Sequence, residues 1–110
     1  MKRGEVWTAA GGHTYAGKPR PVVILQDDRF DATDSLTICP LTSDPTSARF
    51  FRVRIDPSPV NGLRKPSYVM TDKIVSIPKA RIRAPVGRLD DTDIVSLNRA
   101  VLVFLGLAGA

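Results

Sequence analysis

The sequence predicts a mainly β domain: five to seven short antiparallel strands closed by one C-terminal helix, as a small barrel or strongly bent sheet. Three observations predict it. Nine prolines and eight glycines cut the 110 residues into pieces too short for most helices. Several of those pieces are β-branched or alternate between apolar and polar residues. Only the last segment repeats with helical spacing. The length fits one domain spanning residues 1–110, small enough that oligomerisation would help to stabilise it.

Val6-Trp7-Thr8-Ala9 reads as the first strand, followed by a Gly-rich loop from Gly11 to Pro19. Val22-Val23-Ile24-Leu25 is a continuous apolar run, which predicts a strand buried on both faces. The Asp-rich stretch from Gln26 to Ser35 is a loop. Leu36-Thr37-Ile38-Cys39 alternates as a third strand, and Pro40, which lacks an N–H, is expected to end it. Phe50 to Ile55 alternates most clearly, with Phe51, Val53 and Ile55 on one face. Asp56 to Gly62 reads as a rigid loop ending in an Asn-Gly turn. Tyr68 to Ile77 is expected to be one long strand stopped by Pro78, and Arg81-Ile82-Arg83 a short further one. Asp90 or Asp91 then caps a helix carrying Ile94, Leu97, Val101 and Leu105 as an apolar stripe, with Gly106 as its stop. Val95, Leu102 and Phe104 widen that stripe, either as a single broad core face or with one side on the barrel and the other on a second copy, which the small core favours.

Charge and composition exclude several functions. One cysteine, Cys39, makes neither an internal disulfide nor a Cys-based zinc site, and one histidine, His13, makes no multi-His site. No metal or other cofactor is expected. The N-terminus lacks a signal-peptide pattern and the longest apolar run is too short to span a bilayer, so a cytoplasmic protein with no membrane partner is expected. The net charge is +5, and it is uneven. Residues 49–88 hold ten Lys/Arg against Asp56 and Asp72, a net of +8. Such a segment suits a polyanion and is expected to line its groove.

The residues resemble a known family. The carriers are Arg3-Gly4-Glu5-Val6-Trp7, a Gly-rich loop, and Gly17-x-x-Arg20-Pro21-Val22-Val23-Ile24-Leu25-Gln26. A strand ending in Thr42 follows, then Ser67-Tyr68-Val69-Met70-Thr71-Asp72-Lys73, and Leu89-Asp90-Asp91 opening a helix. Across essentially the whole chain this order resembles the MazF/PemK/Kid toxins of type II toxin–antitoxin systems. The resemblance implies an SH3-like barrel, a homodimer, and a metal-independent endoribonuclease that cuts single-stranded RNA at a short motif. It also implies a cognate antitoxin whose acidic, flexible tail covers the RNA groove.

Within that resemblance Arg20, Thr42 and Asp72 match the catalytic positions. A guanidinium is permanently charged and fits phosphate oxygens in a bidentate way. A threonine hydroxyl can donate to one of them. Asp72 beside Lys73 is expected to be too acidic for a base, which favours a positioning role. Lys73 stands where relatives usually carry Gln, and Met70 where some carry Arg. His13 has the one side chain that ordinarily titrates near neutrality, and both proton transfer and RNA contact stand open for it. Lys18, Ser43, Arg64, Lys65 and Lys73 are the further RNA-binding candidates, with Tyr15, Phe30 and Tyr68 for base stacking. Two other functions compete. Gyrase-poisoning toxins share the fold but depend on a C-terminal Trp-Gly-Ile end, whereas this chain ends Gly106-Leu-Ala-Gly-Ala110. A non-catalytic nucleic-acid-binding barrel would keep the groove and lack the chemistry.

Overall fold

In a computed structural model, which describes residues 1–10, 18–45 and 51–109, seven strands and one helix follow the predicted order. The strands are β1 (Glu5–Ala9), β2 (Arg20–Ile24), β3 (Ser35–Thr42), β4 (Val53–Ile55), β5 (Ser67–Val69), β6 (Val75–Pro78) and β7 (Ile82–Arg88); α1 spans Asp91–Phe104. All pairings are antiparallel, in the order β4-β5-β3-β2-β1-β7, with β6 also on β3. The sheet curls into a half-barrel of the expected SH3-like kind.

The apolar run in β2 is buried on both faces, as predicted, because the sheet has two apolar layers. Val23 joins Val6, Cys39, Leu41, Ile55, Val69, Leu89 and Leu97 in one cluster beneath α1. Its neighbours Val22 and Ile24 turn the other way, to Ala9, Leu36 and Ile38. That second layer becomes the floor of the site described below.

Four expectations are corrected. Pro40 does not end β3, which runs on to Thr42. The missing N–H falls where the strand changes partners: β6 pairs up to Ile38, β5 starts opposite Leu41, and between them the Pro40 carbonyl accepts from Met70 N–H at 2.9 Å. The stretch from Tyr68 to Ile77 is not one strand but β5 and β6, split by a 3-10 turn at Thr71–Lys73. That turn, with Met70 N–H on Pro40 O, carries the chain from one partner stretch of β3 to the other. Arg81 belongs to a 3-10 turn, Lys79–Arg81, and Ile82-Arg83 is only the start of β7, which continues through Pro85 on the sheet edge with two register shifts against β1. In the Phe50–Ile55 stretch only Val53–Ile55 is a strand, and Phe50 lies outside the described residues. Phe51 instead sets its ring against Phe104 of α1, with centroids 5.3 Å apart.

The opening motif ties the first strand to the helix. Arg3 donates from Nε to Leu25 O at 2.8 Å and from Nη2 to Asn98 Oδ1 on α1 at 2.8 Å. Gly4 N–H bonds Ile24 O, and Leu89 N–H returns to Gly4 O. At Gly87 the β7 backbone runs so close to the loop after β4 that an added Cβ would lie 2.4 Å from Val60 O. No larger residue fits there.

Asp90 caps α1 by accepting from Asp93 N–H at 2.8 Å. Gly106, at φ +75°, closes it with a paired motif in which Leu107 N–H returns to Leu102 O and Gly106 N–H to Val103 O. Asp90→Ala should lower the unfolding free energy by about 1 kcal/mol, read from urea midpoints at unchanged slope. Leu97 is fully buried, with Ile94 and Val101 packed beside it. Val95, Leu102, Phe104 and Leu105 are exposed, so the stripe is covered on one side only. Among the described residues no helix is long and apolar enough to cross a membrane.

Candidate active site

The second apolar layer opens into a groove of about 530 Å³. Val22, Ile38, Met70 and Ile77 line its floor, and its polar rim carries Arg20, Thr42, Ser43, Asp44 and Arg81. The β2–β3 register explains why Arg20 and Thr42 meet there. Val22 pairs with Pro40, and two residues further along each strand stand Arg20 and Thr42. Both therefore sit where their strands leave the sheet, on the groove side.

Arg20 is exposed at the start of β2. Thr42 is half-buried at the end of β3, opposite Tyr68 on β5. Its Oγ1 accepts from Asp44 N–H at 3.2 Å in a tight side-chain turn. That bond uses an oxygen lone pair and leaves the hydroxyl proton to donate. Ser43 and Asp44 follow at the rim, so one short segment supplies three polar groups.

Asp72 is placed differently. It sits in the 3-10 turn between β5 and β6, outside the groove lining, and holds Arg52 by two bonds, Nε to Oδ1 at 2.9 Å and Nη2 to Oδ2 at 2.8 Å. Hydrogen bonding from Arg52 keeps the Asp72 carboxyl below the usual carboxylate range, against a smaller opposing effect of burial. The Arg52 side chain is only 8% exposed. Thr71 donates to the Phe51 carbonyl, joining the same two segments again. Asp72 thus pins the chain just before β4 to the turn that faces Pro40.

The remaining candidates divide. Ser43 lines the groove. Lys18, Arg64, Lys65 and Lys73 are exposed and stand outside its lining. His13 and Tyr15 lie outside the described residues. Phe30 is exposed beneath the Arg29 guanidinium, while Tyr68 is the cross-strand neighbour of Thr42. Cys39 is buried, with its thiol pushed up to about 12 by burial and then by the Asp72 charge, so it stays protonated.

The expectation that the whole basic stretch lines the groove is also corrected. Arg52 and Arg54 are paired with Asp72 and Asp56, and Arg83 reaches back to Ala80 O. Only Arg81, among the described cations of residues 49–88, lines the groove. Arg64, Lys65, Lys73 and Lys79 stand on loops and 3-10 turns away from the groove. Arg81, Asp44 and the Arg52 partnership were not singled out from sequence. Arg81 carried a signal only as one basic residue among ten.

The family described as PemK-like, MazF-like toxin of type II toxin–antitoxin system matches residues 2–105. The chain belongs to that family. A Mycolicibacterium smegmatis protein named "Probable endoribonuclease MazF" is 51% identical over 109 residues, covering 99% of this chain and 100% of the relative. Among solved structures, a mycobacterial endoribonuclease in complex with its cognate antitoxin superposes with a TM-score of 0.83 at 22% identity, covering 100% of this chain and 99% of that one. The Mycobacterium tuberculosis toxin MazF-mt6 does so at 0.78 and 26% identity, covering 94% and 98%. The PemK/MazF match thus spans β1 through the end of α1.

Proposed function

We propose that the chain, acting as one domain over residues 1–110, is a toxin endoribonuclease that cuts single-stranded RNA at a short sequence motif. The observation that carries this reading is the meeting of Arg20 and Thr42 on one apolar-floored groove. The relatives named as MazF endoribonucleases support it.

The reaction uses the RNA's own 2′-hydroxyl. That oxygen loses its proton to a base and attacks the adjacent phosphorus. The bond from phosphorus to the 5′-oxygen breaks, and the departing oxygen takes up a proton. The products are a 2′,3′-cyclic phosphate and a 5′-hydroxyl end. Arg20 stabilises the charge that builds on the non-bridging oxygens, and Thr42 donates its hydroxyl proton to one of them. Asp72, already bonded twice to Arg52, serves by positioning. His13 is the candidate for proton transfer, since its ordinary pKa suits it near neutrality. Lys18, Ser43, Arg64, Lys65 and Lys73 are proposed to contact the RNA around the groove.

The exposed residues Val95, Leu102 and Phe104 on α1, with Leu105 at its C-cap, support a homodimer. A cognate antitoxin with an acidic, flexible tail would compete with RNA for the groove cations in the cytoplasm; an antitoxin partner is supported by neighbours solved in complex with theirs.

Digesting a mixed RNA pool and sequencing the new 5′-hydroxyl ends tests the reading. The expected result is ends that share a short motif, formed equally in excess EDTA because the proposed chemistry needs only protein groups and the RNA. An uncut pool would leave a binding barrel without chemistry. Loss of cutting on chelation would assign the reaction to a metal.

A further inference from the structure

We infer that Arg81 is a second phosphate-holding residue, gripping the RNA one step along from the bond that is cut. The inference rests on the ribonuclease reading and extends it beyond Arg20 and Thr42. Its basis is the order of chains across the groove. Ala9, the last residue of β1, pairs with Arg20 on one side and with Ile82 on the other. Arg81 directly precedes Ile82, and its carbonyl accepts from Ala10 N–H at 2.8 Å. Arg20 and Arg81 therefore stand on opposite sides of the end of β1, two interstrand spacings or roughly 10 Å apart along the backbone layer. Between them the lining is Ala9 and Ala10, whose methyl side chains leave room for a strand to lie across. Thr42 stands beyond Arg20, away from Arg81. The groove thus runs from a cutting end to a holding end.

Its place in the groove lining, together with the lack of a partner, sets Arg81 apart. Arg29, Arg52 and Arg54 each bond a carboxylate, and Arg3 and Arg83 reach protein oxygens. Among the described residues the Arg81 guanidinium has no hydrogen bond or ion pair. A cation with five unused donors over an apolar floor attracts an anion strongly, because the floor screens poorly. A neighbouring backbone phosphate supplies that anion. The scissile phosphate is the business of Arg20 and Thr42, so Arg81 should act on binding and leave the chemical step alone.

Two measurements test this. In cleavage of an RNA that wild type cuts, Arg81→Ala should raise KM about tenfold and leave kcat within about twofold. Binding to random-sequence 20-nucleotide 2′-O-methyl RNA, which keeps every phosphate and lacks the attacking hydroxyl, is then followed against salt. Arg81→Ala should flatten the log–log slope by about 0.7, the loss of one single-strand phosphate contact. Arg29→Ala removes the same unit of charge outside the groove and should change neither readout. A fall in kcat at unchanged KM, an unchanged slope, or equal effects from Arg29→Ala would each overturn the inference. If wild type binds but cuts no RNA while the Arg81 slope change persists, the ribonuclease reading fails and the Arg81 contact stands.

Discussion

Arg20→Ala should lower kcat for RNA cleavage by roughly 10²–10³-fold, the usual cost of removing one donor aimed at developing charge. Affinity for uncut RNA should fall by less than about tenfold, since other cations still attract the backbone. The split follows from placement. Arg20 is exposed at the first position of β2, so its loss leaves the buried residues Val22, Val23 and Ile24 in place. Unfolding free energy should change by no more than about 0.5 kcal/mol. Arg20→Lys keeps the charge and loses the fork, so it should recover only part of the rate. Thr42→Ala should also slow cleavage, and the double variant should be little slower than Arg20→Ala alone, because the two groups act on one phosphate. Single-turnover rates at saturating protein give kcat free of product release. An Arg20→Ala protein that cuts at the wild-type rate while binding RNA weakly would return Arg20 to a binding role and undo the proposed mechanism.

Which parts of this molecule were legible in the sequence depends on the range of the interactions involved. The helix was legible because its signals are local: Asp90 bonds three residues ahead and Gly106 closes the last turn, whatever the rest of the chain does. The doubly buried β2 was legible because a run of β-branched residues has no polar face to turn outward. Pro40 was misread because its effect depends on a neighbour. The same proline would end a strand flanked by one continuous partner, and is harmless where β6 gives way to β5. Arg3 to Trp7 carried much of the family resemblance, yet Arg3 and Gly4 serve architecture, holding Leu25, Asn98 and Leu89. Arg20 and Thr42 are 22 residues apart, and only the hairpin register of β2 and β3 brings them together. Arg81 was legible only as one of ten basic residues expected along the groove, because what distinguishes it comes from the strand beside it, through Ala9 and Ala10.

Asp72→Asn should destabilise the fold more than it alters the chemistry at a given folded fraction. The reason is the partner. With 8% of its side chain exposed, Arg52 depends on the carboxylate for two charge-assisted bonds, and Asn offers one neutral oxygen. Breaking a fully buried pair costs several kcal/mol; Asp72 retains some solvent contact, so about 2 kcal/mol is expected, or roughly 10 °C in Tm. The pH dependence has a definite sign. A carboxyl whose folded pKa lies below its unfolded value adds stability above that unfolded value, near ~3.9, and loses the contribution as pH falls through the folded one. Wild type should therefore weaken steadily at acid pH below the ordinary carboxylate range, and Asp72→Asn should show a flatter acid profile from a lower starting point. Arg52→Ala should cost about as much, and the double Ala variant less than the sum, because one partner's loss already strands the other. Catalysis separates this role from that of a base. Well below the melting temperature, Asp72→Asn should keep kcat within about tenfold and leave the acid limb of the pH–rate profile where it was. If Asp72→Asn melted like wild type and abolished that acid limb, Asp72 would be the base and the Arg52 pair merely its resting contact.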